Sequence, residues 1–462
     1  MLLVSTYELG HQPLHVASPA ALLRRRGHEV RAVDLAVEPW DPDAVRWADA
    51  VAFSVPMHTA MRLAVEAAGA VRRMQPDLPV CLYGLYAPVG RDATAGRVAD
   101  RLIAGEYETA LAAWVDDLAA HRPADGQLVH LGRGRFGLPA RDLLPALDRY
   151  ARLRVDGEER LAGYVETSHG CAHRCRHCPI PPVYDGRIRI VGHDAVLADV
   201  EQLVALGARH ITFGDPDFLN GVHHSLRVVR TVHERFPDVT FDCTTKVELI
   251  LRHRHVWPEL AGAGCLFVVS AFETVDDTTL RRLDKGHTVA DEVEALELLR
   301  GQGIEVRPSF LPFTPWTTTA GMVDLLDFVA DHGLVASVDP VQYAIRLLLP
   351  DGSLLLDHPD LAPHLDGYDP AQLSWRWKAA DPAVDELQAE LATLLEVRLA
   401  TGEPVAATYL AVARVVRAAA GVGGEPAVPA DAFVREPPRL TESWFCCAEP
   451  TGAQLGAVTA DR

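Results

Sequence analysis

The sequence predicts an α/β chain: an N-terminal doubly wound parallel sheet, then a partial (β/α)6 barrel, then a C-terminal helical segment with a Cys-Cys tail. Three observations carry this. Short β-rich runs alternate with helix-period runs through the first part of the chain. The rhythm restarts near residue 160, with apolar runs near 164, 210, 240, 266, 304 and 336. Past residue 350 it stops, and helix-period segments take over. At 462 residues the chain is too long for one ordinary domain, so two or three units are expected.

In the first unit, residues 1–125, the strands are "LLVS", "EVRAVDL", "AVAFSVP" and "PVCLYG", with helices through "PAALLRRRG" and "MRLAVEAAGAVRRM" between them. Residues 126–158 read as a linker and 159–350 as the partial barrel. Residues 351–420 hold two amphipathic helices: Val384, Leu387, Leu391, Leu394 and Leu395 mark one, ended by Gly402, and Tyr409, Val412 and Val416 the other. Residues 421–462 form a Gly/Pro-rich linker and tail. Extended, the twenty residues 421–440 reach roughly 60 to 70 Å, enough to bring the tail to the barrel mouth.

With 48% hydrophobic and 23% charged residues, the composition is that of a globular protein. The net charge of -19 argues against a nucleic-acid surface, which needs clustered excess cations, so Arg24–Arg26 reads as a solvated helix face. No run approaches the ~20 apolar residues of a membrane span, and "MLLVSTYELG" lacks the features of a signal peptide. The expected location is cytoplasmic, without membrane or nucleic-acid partners.

In barrels of this kind the functional groups follow the strands, which directs attention to Cys171–Cys178, Gly214–Asp217, Lys246, Glu273, Ser309 and Gln342. Of the eight cysteines, Cys171, Cys175, Cys178, Cys446 and Cys447 are closely spaced, and in a cytosolic chain this points to metal or thiolate chemistry. "ETSHGCAHRCRHCPIP" sets the first three in a C-x3-C-x2-C spacing, directly after a strand. Three thiolates at that spacing can each hold one corner of an iron-sulfur cube. A zinc knuckle completed by His173 or His177 is the competing reading, although zinc needs four ligands and usually two paired clusters.

On this motif the chain resembles the radical SAM enzymes. The resemblance implies a 4Fe-4S cluster on Cys171, Cys175 and Cys178, with S-adenosylmethionine on the iron left open. His177 stands where the family often carries an aromatic residue. The stretch "TFGDPDFLN" falls where the family has a GGE-like segment, which gives Gly214 and Asp215 the cofactor's ammonium, with Asp217 next in line. Lys246, Glu273, Ser309 and Arg346 are the further cofactor-binding expectations, Glu273 near the ribose or methionine. For Lys246 and Glu273 the plainer reading is an ion-paired residue at a strand end.

The first unit looks like the Rossmann-like cobalamin-binding domain that precedes many radical SAM barrels, with the ligand expected near Ser54–His58 and Gly84–Tyr86. The D-x-H-x-x-G motif that supplies an axial histidine is absent, and His11, His15 and His58 are isolated. Whether the domain holds cobalamin or only packs stays open from the sequence.

The tail "ESWFCCAEP" resembles that of the CUAEP/CCAEP-tail radical SAM subgroup, similar to the arsinothricin-biosynthesis enzymes. This implies that Cys446 and Cys447 are catalytic thiols that hold arsenite, with transfer of the 3-amino-3-carboxypropyl group of S-adenosylmethionine to arsenic and an electron donor such as flavodoxin or ferredoxin. Cys243 is a candidate third thiol, although a packed strand cysteine is its plainer reading. Two alternatives stand beside this. One is a cobalamin-dependent methyltransferase or rearrangement enzyme using a 5'-deoxyadenosyl radical on an organic substrate. The other is a non-catalytic thiol protein that binds arsenic or a metal.

Overall fold

The computed structural model describes the chain except for residues 124, 135, 425–427, 429, 443–448 and 458–462. The first sheet has six parallel strands: β1 (Leu2–Ser5), β2 (Arg31–Asp34), β3 (Val51–Ser54), β4 (Val80–Tyr83), β5 (Arg101–Gly105) and β6 (Val129–His130). Their order is β2-β1-β3-β4-β5-β6. Leu3, Ala52, Cys81 and Ile103 pack under the helices Leu14–Arg25 and Tyr107–Ala119. Leu2, Val4, Val51, Phe53 and Leu82 pack with helix His58–Met74 on the other face. Burial on both faces is why β1, β3 and β4 read as apolar runs, whereas the edge strands β2 and β6 are partly exposed. The order reverses between β1 and β3, so their carboxyl ends form the crevice where open α/β sheets bind ligands.

The second sheet is built from β7 (Arg152–Val155), β8 (Glu158–Val165), β11 (His210–Phe213), β12 (Thr240–Thr244), β13 (Cys265–Glu273) and β14 (Glu305–Phe310). Between β8 and β11, the short β9 (Ser168–Gly170) and β10 (Ile188–Ile190) pair with each other. Strands β8, β11, β12, β13 and β14 are parallel and curl as a half-barrel. β7 closes onto β8 as an antiparallel hairpin whose turn, Asp156 and Gly157, has φ values of 51° and 76°. Both lie in the left-handed region that two-residue hairpin turns require.

The apolar run near 336, expected as a sixth strand, is a correction. Val335–Val338 fold as turns, with Ser337 N and Val338 N both donating to Leu334 O. Pro340 follows and has no amide to offer a ladder. An isolated parallel bridge between Phe313 and Arg346 stands in the sixth place.

Helices Pro382–Ala400 and Val405–Ala419 form as expected and bury Leu387, Leu391, Tyr409 and Val412 in the same core as Val268, Leu296 and Leu326 of the barrel. The hairpin of β15 (Leu365–Asp369) and β16 (Ser374–Trp377) was not anticipated. The Gly/Pro-rich stretch ends in β17 (Arg439–Leu440), which pairs antiparallel with β7 and makes the full order β14-β13-β12-β11-β8-β7-β17.

The stretch expected as a linker joins both sheets, since β6 extends the first and β7 the second. Between them Arg141 is buried, bonded to both carboxylate oxygens of Asp199 (2.6 and 2.8 Å), to Gln12 Oε1 (3.0 Å) and to Tyr164 O (2.7 Å). This one guanidinium ties the first unit to the barrel. No helix among the described residues is long and apolar enough to cross a membrane.

Candidate active site

The carboxyl edges of the two sheets face a common cavity of ≈ 400 Å³, in the size range of small-molecule sites. Cys171, Cys175 and Cys178 lie on its wall. Asp215, at the end of β11, fixes the lead-in to their loop: its carboxylate accepts from Thr167 N (2.9 Å), Thr167 Oγ1 (2.7 Å) and Ser168 Oγ (2.5 Å). Arg176 fixes the far side, its amide donating to Leu283 O (2.9 Å) and its carbonyl accepting from Leu355 N (3.0 Å) and Ser353 Oγ (3.0 Å). Asn220 Nδ2 donates to Cys171 Sγ at 3.4 Å.

Burial raises the Cys171 and Cys178 thiol pKa values, and the neighbouring thiols add to the effect. Three thiols within electrostatic range of one another suit a polynuclear cationic centre. Among the described residues, no three His, Cys, Asp or Glu donors converge on a single ion. The imidazoles a zinc site would recruit are engaged: His173 Nδ1 lies 3.1 Å from Lys246 Nζ, and His177 Nε2 lies 3.1 Å from Glu273 Oε1. The donor set therefore fits the corners of an iron-sulfur cube better than a mononuclear zinc.

Glu273 ends β13 at a register shift, with φ of 71°, a left-handed conformation uncommon for a residue with a side chain. Its carboxylate meets Lys285 Nζ at 2.9 Å. Burial opposes its charge, but Lys285 and His177 outweigh burial and hold it below the usual carboxylate range. Lys246 Nζ, besides His173, bonds Glu248 Oε2 at 3.1 Å. Both residues are thus ion-paired, and both lie on the cavity wall with Lys285, Gly214, Asp215, Ser309 and Gln342. Gly214 is required by close approach, because a Cβ there would stand 2.0 Å from the Tyr164 ring.

Two expected residues lie off the cavity wall. Asp217 is wholly buried beneath it, accepting from Thr245 Oγ1 (2.7 Å), Lys246 N (3.1 Å) and Leu219 N (3.2 Å). Arg346 turns outward to Asp385 Oδ1 and Trp377 O (both 2.6 Å), with its guanidinium 3.6 Å from the Trp377 ring centre. Cys243 is buried in the helix-facing core beside Cys265. Cys446 and Cys447 lie outside the described residues.

A second polar cluster spans the two units. His169 links Glu106 (Nδ1 to Oε2, 3.2 Å) to Glu166 (Nε2 to Oε2, 3.1 Å), and Glu166 meets His15 at 3.3 Å and Tyr164 OH at 2.9 Å. His15 bonds Tyr107 OH at 2.8 Å. Burial opposes a charge on His15, but Glu166 and Glu8 overcome it and raise its pKa to about 9. Glu166 and His169 flank the cysteine motif in "ETSHGC", and that adjacency is the only sequence signal they carry.

Residues 165–329 match the radical SAM superfamily. The chain carries a radical SAM domain. Such a domain implies a 4Fe-4S cluster and S-adenosylmethionine. The hopanoid C-3 methylase of Methylococcus capsulatus is 24% identical over 330 residues, covering 66% of this chain and 62% of that protein. The bacteriochlorophyllide d C-8(2)-methyltransferase of Chlorobaculum tepidum is 23% identical over 265 residues, 54% of this chain and 56% of that protein. The chain thus spans under two thirds of the length of these curated relatives.

Two solved radical SAM enzymes share the fold. The cobalamin-dependent OxsB, with aqua-cobalamin and S-adenosylmethionine bound, aligns with a TM-score of 0.68 at 15% identity over 86% of this chain and 66% of that one. The methyltransferase TsrM from Kitasatospora setae, with tryptophan and aza-SAM bound, aligns at 0.62 and 16% identity over 85% and 88%.

On the first sheet's carboxyl edge three histidines meet neighbours, although His58 Nδ1 is buried without a hydrogen-bond partner. His58 Nε2 lies 2.7 Å from Glu449 Oε1, His15 is held by Glu166 and Tyr107, and His11 packs on the Tyr164 ring with centroids 4.7 Å apart. His15 thus offers no free ring nitrogen, while Pro56, Met57 and Gly84–Tyr86 of the same edge line the cavity.

Proposed function

We propose that the chain is a radical SAM transferase that cleaves S-adenosylmethionine reductively at a 4Fe-4S cluster on Cys171, Cys175 and Cys178. Its acceptor is arsenite held by Cys446 and Cys447, and the group moved is 3-amino-3-carboxypropyl. When bound, the cluster supplies one electron to the sulfonium and so releases a carbon radical from it. Radical addition to trivalent arsenic, then uptake of a further electron with loss of one arsenic ligand, leaves an alkylated trivalent arsenic. A flavodoxin- or ferredoxin-type donor supplies both electrons.

The chain's own residues orient and shield. Asp215 and Asn220 hold the cysteine loop, while Lys246, Glu273 and Ser309 face the cavity as the groups for the cofactor's polar ends, beside the Gly214 backbone. Asp217 supports the Lys246 backbone from below, and Arg346 braces the C-terminal helices. The observation that carries the acceptor half is the position of Glu442, which lines the cavity four residues before Cys446. Soft trivalent arsenic prefers paired thiolates over oxygen and nitrogen donors.

A second reading is favoured by the relatives. Three of the curated proteins are carbon methylases, and the solved neighbours include cobalamin-dependent enzymes. On that reading the chain methylates an organic acceptor with cobalamin on the first sheet. Anaerobic turnover with reductant, S-adenosylmethionine and arsenite separates the two: methylthioadenosine plus an arsenic-linked aminocarboxypropyl product supports the first, and S-adenosylhomocysteine with 5'-deoxyadenosine supports the second.

A further inference from the structure

The crevice between the carboxyl ends of β1 and β3 is the place where this sheet topology offers a ligand site. In this chain it is met by the C-terminal segment. Tyr7, just beyond β1, donates its hydroxyl to Glu442 Oε1 at 2.7 Å. His58, just beyond β3, meets Glu449 Oε1 at 2.7 Å, and Arg62 one turn on takes Glu449 Oε2. His58 has no exposed side-chain surface, while the Glu449 side chain is 47% exposed.

Three further observations point the same way. Gly10 has φ of 72°, and a Cβ there would fall 2.8 Å from both Cβ and Cγ of Glu442, so the tail lies against bare backbone. Thr441 N donates to Arg152 O (2.8 Å) and Thr441 Oγ1 accepts from Arg152 N (2.9 Å), stitching the approach to β7. Beyond Glu449, Leu455 of the short helix Gly452–Ala457 packs against the first unit's core.

We propose that the switch-point crevice of the first sheet is the receptor for the chain's own C-terminal segment, with Tyr7, His58 and Arg62 as positioning residues for Glu442 and Glu449. The two carboxylates bracket "SWFCCA", so the domain that resembles a cobalamin carrier acts here as a clamp on both ends of the thiol-bearing stretch. The docking stands on these contacts alone; its use in presenting a thiol-bound acceptor rests on the transferase reading above.

The test uses the full-length, cluster-loaded protein and the double variant Glu442→Ala with Glu449→Ala. Hydrogen exchange at the amides of 441 and 452–457 reports docking. In the variant, exchange is expected to speed up by about tenfold, the loss expected when bonds to charged groups are removed. Equal exchange in wild type and variant would overturn the docking. A charge swap, Arg62→Glu with Glu449→Arg, restores slow exchange relative to either single change, and failure to do so counts against the Arg62 contact. Exchange is read without turnover, so a docked tail that yields no arsenic product faults only the transferase reading.

Discussion

Glu273 shows how much a single side chain carries: a left-handed backbone at a bulge puts one carboxylate between Lys285 and His177 on the cavity wall. Glu273→Gln leaves Lys285 buried without its counter-charge, and loss of one partner of a buried pair costs about 3–5 kcal/mol. Denaturant unfolding of the variant is expected to show that loss. Cys171→Ala removes one cluster corner, and the broad visible absorbance of the reconstituted protein is expected to disappear while the far-ultraviolet spectrum stays.

His15 makes a pH prediction at the same scale. Its pKa rises from 6.5 to about 9 on folding, so its contribution is complete below pH 6.5 and is lost as pH climbs through 9. Glu8, pushed up to about 7 by burial, loses its contribution as pH rises through 7, in the same direction. Wild type is expected to lose on the order of 3 kcal/mol between pH 6.5 and 9 through His15, and His15→Gln to lose less. Equal stability of wild type at the two pH values would contradict the pairing with Glu166. The cysteines were legible because their chemistry is written in local spacing. The Glu166–His169 cluster was not, because Glu106 and His15 come from the other unit.

Elements were legible where burial pattern and period agree. Strands β1 to β4 and the helices of 382–419 appear where periodicity put them, whereas β5 and β6 were not anticipated. The run at 336 misled because buried apolar residues before a proline satisfy their amides in a turn as well as in a strand. The β15–β16 hairpin was hidden in "LDGYDPAQLSWRW", which alternates poorly and bulges between Leu365 and Tyr368. The supposed linker proved to hold the joint between units, Arg141. Arg141→Ala strands Asp199 in the core and is expected to destabilise by about 3–5 kcal/mol and to separate the unfolding of the two units in calorimetry.

At the scale of the whole molecule, two sheets present their carboxyl edges to one cavity, and the chain's end is tied back to the first of them. Sequence motifs located the radical SAM half of this arrangement but not the tie, since Glu442 and Glu449 carry no signal until their partners are in place. The central claim is that a carbon group of S-adenosylmethionine passes to an acceptor held by Cys446 and Cys447. Mass spectrometry of an anaerobic reaction with reductant, S-adenosylmethionine and arsenite tests it most directly, run beside the Cys446→Ser, Cys447→Ser variant. The account predicts methylthioadenosine and an aminocarboxypropyl-arsenic product from wild type, and an intact cluster without that product from the variant. Normal arsenic product from the variant, or 5'-deoxyadenosine as the only cleavage product of wild type, would contradict it.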